Sequence, residues 1–261
     1  MNIGFVSEGP ALLIRNKERI LVVADLHIGI EADLAAHGWH VASRTEDRLL
    51  RLISCIESAD PDRLVLLGDV KHNLPKTTRQ EFFEIPGFLA SIRKIVPFNV
   101  VPGNHDTGIA RFLKEGELLG KNGAILDGFG YLHGHTVPAP ELAGHLIITG
   151  HHHPLVAIRD EVGCALRAPA YLLASLDASR LFHNKGDRRR GIQKPGNDRG
   201  QTQALFMPAF NECAGFDVVS IVHHPFSPIS RAIAAGSAEV FLTDGTCIGP
   251  VSTLEEPCVG A

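Results

Sequence analysis

Aromatic residues and closely spaced cysteines are both scarce in this sequence. Phe, Tyr and Trp make up 6% of the chain, so we do not expect a large aromatic platform for stacking bases. The cysteines are odd in number, widely separated and include no C-x-x-C pair: Cys55, Cys164, Cys213, Cys247 and Cys258. This pattern argues against a disulfide framework and a zinc ribbon, and it predicts a reducing, cytoplasmic setting.

Long apolar runs and an excess of basic residues are also missing. No apolar stretch approaches ~18 residues, and the start, MNIGFVSEGP, lacks a basic segment, so we predict neither a membrane span nor a signal peptide. The formal net charge of −4 provides no overall basic field for nucleic acid, although a local basic face stays open. A chain of 261 residues is long enough for a core of normal size.

Apolar runs with strand spacing and helix spacing alternate from residue 11 to residue 175. Residues 11–24 predict a hairpin, residues 46–56 a helix, and residues 80–95 a helix interrupted at Pro86 and Gly87. Further strands are predicted at 63–67, 98–101, 124–132 and 145–149. This alternation is typical of a layered α/β fold, in which ligands bind at the carboxyl ends of strands.

The C-terminal part changes character at a basic, glycine-rich stretch. Residues 184–203 predict a mobile loop, which is either an ordinary solvated insertion or a substrate-phosphate contact through Arg188, Arg189 and Arg190. The segments ALFMPAF, VVSIV and AEVFLT, within residues 204–261, predict strands that return to the same sheets. The histidines before Pro225 predict a turn. We therefore predict one domain over 1–261, with its core motifs in 10–175.

The 14 histidines cluster in short motifs that follow strand-like runs. Asp25 and His27 in ADLHIG are two residues apart, and in an extended segment they would face one metal ion. Asp69 in GDVKH follows the apolar run RLVLL, and its two carboxylate oxygens can bridge two cations. In GNHD, Asn104 offers a neutral oxygen ligand and His105 is a candidate proton donor. Each motif alone has an ordinary alternative as a turn or cap.

Two further motifs contain several histidines each. YLHGHTVP contains His133 and His135. TGHHHP places His151 and His153 on one side of an extended segment and His152 on the other. Three consecutive histidines after a strand favour a small metal site over packing, because histidine is the commonest metal ligand.

Oxygen and imidazole donors recur in all five motifs, and no cysteine takes part. This donor chemistry suits Mn, Fe, Zn, Ni or Co rather than thiophilic ions. The candidate ligands outnumber those of one tetrahedral site: Asp25, His27, Asp69, Asn104, His133, His151 and His153. Two divalent cations that share Asp69 would use all of them.

Taken in order, these motifs resemble those of the calcineurin-like metallophosphoesterases. They stand here as DLH at Asp25, GDVKH at Gly68, GNHD at Gly103, HGH at His133 and GHHH at Gly150. The sequences of these motifs, together with PAFN at 208–211, most resemble those of the SbcD-related archaeal phosphoesterases and of the bacterial phosphoesterase associated with a DNA repair ligase. The resemblance covers residues 10–175 and implies a four-layer α/β/β/α sandwich of two mixed β-sheets flanked by helices.

The resemblance also implies which residues bind the metals. The first metal would be held by Asp25, His27 and His153. The second would be held by Asn104, His133 and His151, with Asp69 bridging the two. His135 could exchange roles with His133.

Other residues would act around the metals. His105 would lie near the scissile phosphate as an acid or transition-state stabiliser, and Asp106 would orient it. His135 and His152 would contact the metal ligands or the substrate. His72 occupies the last position of a family G-D-x-x-D pattern, so a contact there differs from that in many relatives.

The implied function is that of a dinuclear-metal-dependent phosphodiesterase. It would act on nucleotides or nucleic acid, DNA included, by attack of a metal-bound hydroxide, with manganese as the expected metal. A phosphomonoesterase and a cyclic-nucleotide phosphodiesterase share the same core. A non-catalytic scaffold and a mononuclear hydrolase of another fold are the remaining alternatives. Long nucleic acid would need a partner or a homodimer.

Overall fold

The computed structural model describes residues 2–159, 165–182 and 201–254, and its first sheet follows the order of the chain. The strands are β1 (Asn2–Val6), β2 (Ala11–Arg15), β3 (Arg19–Val23), β4 (Arg63–Leu67) and β5 (Phe98–Val101). β1, β2 and β3 pair antiparallel, whereas β3, β4 and β5 run parallel. The parallel part therefore brings three carboxyl ends to one edge of the sheet.

Two long helices cover the outer face of this sheet. The helices in this half are α1 (Ile30–Ala36), α2 (Thr45–Ala59) and α3 (Arg79–Arg93). Leu52 of α2 and Phe88 of α3 share a buried cluster with Leu64 of β4. Since burying a large apolar side chain contributes about 1.5–3 kcal/mol, this layer is held mainly by the apolar sides of α2 and α3.

The second sheet has nine described strands. They are β6 (Ala124–Leu126), β7 (Phe129–Leu132), β8 (Leu146–Thr149), β9 (Pro154–Arg159), β10 (Ala165–Ser175), β11 (Gln203–Phe206), β12 (Phe216–Asp217), β13 (Glu239–Leu242) and β14 (Cys247–Pro250). The order is β12-β9-β10-β11-β8-β7-β6, with β13 beside β10 and β14 beside β13. β7, β8 and β11 are parallel neighbours, so their carboxyl ends also share one edge.

Short helices complete the second half. They are α4 (Ala178–Leu181), α5 (Val218–His223) and 3-10 turns at Pro140–Leu142, Ser230–Ala232 and Val251–Thr253; another such turn, Ile109–Phe112, follows β5. Ile221 of α5 packs with Phe206 on the outer face of the second sheet. Leu12 and Val65 of the first sheet share a separate buried cluster with Tyr131 of the second. These layers confirm the predicted α/β/β/α sandwich of two mixed sheets.

The predicted elements of the N-terminal half largely match the structure. The hairpin, helix α2 and strands β4, β5 and β8 are confirmed. Residues 124–132 are two strands rather than one, because Asp127 and Gly128 both adopt positive φ and turn the chain between β6 and β7. The predicted break at Pro86 is wrong, since α3 runs through it. Proline removes one helical hydrogen bond, but Ile85 and Phe88 beside it are buried, and their burial outweighs that loss.

The prediction for VVSIV is wrong. Residues 218–223 form α5, which Asp217 caps by accepting hydrogen bonds from the N–H groups of Val219 and Ser220. A short apolar run does not distinguish a strand from a buried helix, and the capping carboxylate decided this one. MPAF is likewise not a strand, whereas ALF and EVFL lie in β11 and β13. The predicted loop lies outside the described residues over 184–200.

Candidate metal centre

A first group of donors gathers at the carboxyl ends of β3 and β8. Asp25, His27 and His153 each offer one ligand atom, and these atoms lie within 4.8 Å of one another. The Nε2 atom of His153 is 3.1 Å from an Asp25 carboxylate oxygen. All three side chains are buried. The Nε2 atoms of His27 and His153 are buried without a hydrogen-bond partner among the described residues.

A second group lies beside the first. Asp69, His133 and His151 also place one ligand atom each within 4.8 Å of one another. The Nδ1 atom of His133 bonds to the carbonyl of Leu67 at 3.0 Å, which directs Nε2 towards the site. That Nε2 lies 3.2 Å from the side-chain oxygen of Asn104, so the amide belongs to the same group.

Asp69 stands between the two groups. Its Oδ2 atom is 3.8 Å from His27 Nε2 and 3.3 Å from His133 Nε2. Its Oδ1 atom accepts a hydrogen bond from the backbone N–H of His105 at 2.8 Å. This carboxylate is therefore placed to contact cations on both sides.

The backbone carries these side chains in an unusual conformation. The residues with positive φ outside glycine include Asp25, His27, Asp69, His151 and His153, with φ between 44° and 69°. We expected Asp25 and His27, and likewise His151 and His153, to share a side because their segments are extended. That reason is wrong, because left-handed turns at the strand ends bring the side chains together.

The charges in the site favour metal ligation. Burial lowers the pKa of His27 to about 3 and of His151 to about 4, so both rings are neutral at pH 7 and present a lone pair. Burial alone would raise the pKa of Asp69, but the adjacent His133 ring holds it well below its ordinary value. Burial opposes protonation of His133, yet the Asp69 charge raises its pKa to about 9. The anionic Asp69 carboxylate thus stabilises positive charge beside it, and a bound cation would supply that charge.

His105 and His72 stack beside the first group, with ring centroids 5.3 Å apart. The Nδ1 atom of His105 bonds to the backbone carbonyl of His72. His72 Nδ1 is 3.1 Å from His27 Nδ1, so its side chain contacts a candidate ligand. His27, His72 and His105 also form a third group that could hold a metal ion.

Asp106 acts on the loop rather than on the ring of His105. Its carboxylate accepts hydrogen bonds from the backbone N–H groups of Gly103 at 2.8 Å and Lys71 at 3.2 Å. Burial, followed by the charge of Asp69, raises the pKa of Asp106 to about 6. Asp106 thus ties the loop after β5 to the loop after β4, while the ring of His105 is held through its Nδ1 atom by the His72 carbonyl.

His135 and His152 differ in how they relate to the site. His135 lies 5.3 Å from His133 between ring centroids, and its Nδ1 is buried without a partner among the described residues. His152 is buried, bonds to the Gly150 carbonyl at 2.9 Å and to the Ser227 hydroxyl at 2.7 Å, and burial lowers its pKa to about 3. His152 therefore supports the chain behind the ligands.

The residues present fit divalent cations. In the described parts of the chain, the buried Nε2 atoms of His27 and His153 accept or donate no hydrogen bond and lie near carboxylates that attract positive charge, and the donors gathered there are oxygen and nitrogen. His27, Asp25 and His153 would hold one ion, and Asn104, His133 and His151 the other, with Asp69 shared.

Sequence reasoning missed two phenylalanines in the wall of the site. A cavity of about 420 Å³ is lined by Phe216 and Phe226 together with five of the candidate ligands, namely His27, Asp69, Asn104, His151 and His153. Asn211 supports the site from behind, since its side chain donates to the Leu26 carbonyl at 3.2 Å and its N–H to the Asp25 carbonyl at 3.1 Å. The PAFN wording signalled Asn211, but no spacing pattern links the phenylalanines to the motifs.

Comparison with known proteins agrees with this geometry. Residues 18–155 match the family model described as calcineurin-like phosphoesterase, so the chain belongs to that family. Family membership implies a metal-dependent phosphoester hydrolase. No curated protein matched the sequence. Among the described residues, no helix has both the length and the apolar character that crossing a membrane requires.

Two solved structures are similar. The nuclease MPE of Pseudomonas putida superposes with a TM-score of 0.54 at 20% identity, over 93% of this chain and 96% of that one. Yfce, a phosphoesterase from E. coli, gives a TM-score of 0.35 at 18% identity, over 54% of this chain and 73% of that one. The similarity to the Pseudomonas putida structure supports the fold.

Proposed function

We propose that this protein is a dinuclear-metal-dependent phosphodiesterase that acts on nucleotides or nucleic acid. The observation that carries the proposal is the convergence of two donor groups on Asp69, from the strand ends of both sheets. Manganese is the metal we expect. We also propose that the protein belongs to the SbcD-related and ligase-associated subgroup and that residues 1–261 form a single domain. We further propose that it acts in the cytoplasm and forms a homodimer.

Each residue has a distinct task in this proposal. When bound, the cations supply Lewis-acid activation of water and neutralise charge on the phosphoryl oxygens. Asp25 and Asp69 provide the anionic charge that keeps them in place. The His72 carbonyl fixes Nδ1 of His105, so Nε2 is the atom that passes a proton to the leaving oxygen. Asp106 holds the loop that carries His105.

The name of a structural neighbour supports the nucleic-acid alternative, since the Pseudomonas putida protein is a nuclease. The core alone fits a phosphomonoesterase and a cyclic-nucleotide phosphodiesterase equally well. A substrate panel with Mn separates them: mononucleotides, cyclic nucleotides, single-stranded DNA and duplex DNA. Turnover of the phosphodiesters, DNA or cyclic nucleotides, supports the proposal, with DNA as the nuclease outcome. Turnover of mononucleotides alone is phosphomonoester hydrolysis and contradicts it. No hydrolysis of bis-p-nitrophenyl phosphate with any of several metals would favour a scaffold.

Asp69→Asn tests the shared carboxylate against a matched variant. Asp25→Asn should weaken one cation only, because Asp25 belongs to one group, whereas Asp69→Asn should weaken both. Calorimetric titration of metal-free protein with Mn measures the affinity of each of the two sites. The hydrolysis rate of each variant is then measured with Mn present. An Asp69→Asn protein with full metal content and wild-type turnover would refute the bridging role.

A further inference from the structure

Two exposed phenylalanine rings lie at the mouth of the candidate metal centre. Phe216 is 49% exposed and Phe226 is 40% exposed, although each is a large apolar side chain. Their ring centroids are 5.4 Å apart with an interplanar angle of 44°. Both line the same cavity as Asp69 and His105. An apolar surface therefore adjoins the place where a phosphate would bind.

Both phenylalanines contact residues 151–153, the segment that carries two of the candidate metal ligands. The N–H of Phe216 donates to the His153 carbonyl at 2.9 Å, within the parallel pairing of β12 and β9. Phe226 packs on His151 at 5.6 Å and on the buried His152 at 5.0 Å between centroids. The rings are thus fixed relative to the metal ligands.

Other exposed phenylalanines of the chain have cationic partners. The guanidinium of Arg79 lies 5.6 Å from the ring of Phe83, and that of Arg111 lies 5.4 Å from Phe82. Within the described ranges, no arginine forms such a cation–π contact with Phe216 or Phe226. The rings that contact them are each other and the histidine rings at 151–153.

We propose that Phe216 and Phe226 form a base-binding subsite, on which the nucleobase next to the reacting phosphate stacks. This rests on the proposed function and specifies its substrate class. A planar base offers a π-face to an aromatic side chain, and such stacking tolerates any base sequence. A sugar phosphate or an alkyl phosphate lacks that planar group and would leave the rings exposed to water.

The test compares two ligands that differ only by a base. Adenosine 5′-monophosphate and ribose 5-phosphate are titrated calorimetrically into Mn-loaded protein. The variants are Phe226→Leu and Phe216→Leu, which keep an apolar side chain and remove the aromatic face. Phe83→Leu is the matched control, because Phe83 is 71% exposed and lies outside the cavity lining. Mn content is measured for every protein.

Stacking on an aromatic side chain predicts about 10-fold tighter binding of the adenosine ligand by the wild-type protein and by Phe83→Leu. Each pocket variant should lose most of that preference while its Mn content and its affinity for ribose 5-phosphate stay unchanged. Equal affinities for the two ligands in the wild-type protein would overturn the subsite. Hydrolysis of bis-p-nitrophenyl phosphate is measured separately, so failure of the proposed function is distinguished from failure of the subsite.

Discussion

At the scale of single residues, the candidate ligands share a costly backbone. A non-glycine residue in the left-handed region costs of order 1–3 kcal/mol, and five of the candidate ligands adopt it. Backbone bonds between the loops hold this conformation, such as Asp25 N–H to the Gly68 carbonyl at 3.1 Å and His27 N–H to the Asp69 carbonyl at 2.8 Å. The loops therefore hold one another in the geometry that metal binding needs.

Gly68→Ala tests how closely these loops pack. Gly68 has a φ of 79°, and an added Cβ would clash with the imidazole ring of His133. Gly38 is the control, since its φ is 89° and nothing lies within 4 Å of its added Cβ. Both substitutions force an alanine into the left-handed region, which costs folding free energy in each variant. Only Gly68→Ala also displaces His133, so its unfolding free energy should be lower by roughly a further 2 kcal/mol. Urea unfolding measures this, and equal losses for both variants would contradict the predicted contact.

His105→Ala separates catalysis from metal binding. The His105 side chain is assigned to proton transfer, while its backbone N–H bonds to Asp69 and survives the substitution. We expect unchanged Mn content and a turnover lower by about 10²–10⁴-fold. His37→Ala, at an exposed position, should match the wild type. Loss of Mn in parallel with activity would show that His105 is a ligand instead.

At the scale of elements, the sequence predicts strands better than it predicts turns and short helices. β4 and β5 are apolar runs ended by glycine-containing motifs, and nothing competes with that interpretation. The convergence of the motifs followed from parallel strand ends. The left-handed turns at Asp25 and His27 could not be predicted, because contacts from a distant loop impose them. Helix α5 was missed for a different reason, since its apolar run is too short to show a period.

Glu117→Gln tests how α3 is fixed to the loop after β5. Arg93 of α3 donates from Nε and Nη2 to the two carboxylate oxygens of Glu117, each at 2.7 Å. These bonds lower the pKa of Glu117 below its ordinary value of 4.5. A lowered carboxyl pKa contributes stability above pH 4.5 that is lost as pH falls through the folded-state pKa.

The expected loss for Glu117→Gln at pH 7 is roughly 1–3 kcal/mol of unfolding free energy, because the hydrogen bonds lose their charge. The difference from the wild type should shrink at pH values below 4.5. Urea unfolding at pH 7 and at a pH below 4.5 measures the free energy of unfolding of both proteins. The exposed Glu115→Gln is the control. A difference that does not change with pH would show that the charge contributes nothing.

At the scale of the whole molecule, the candidate site depends on both sheets. The loops of the first sheet supply Asp25, His27, Asp69 and Asn104, and those of the second supply His133, His151 and His153. Neither sheet alone contains a complete donor group, so the packing of the two sheets creates the site. Metal binding should therefore stabilise the packed sheets against unfolding by mass action.

Anomalous diffraction from crystals of the wild-type protein loaded with Mn tests this account most directly. We predict two peaks on either side of Asp69, one within bonding distance of Asp25, His27 and His153, and the other of Asn104, His133 and His151. One peak only, or two peaks that do not share Asp69, would contradict the dinuclear site.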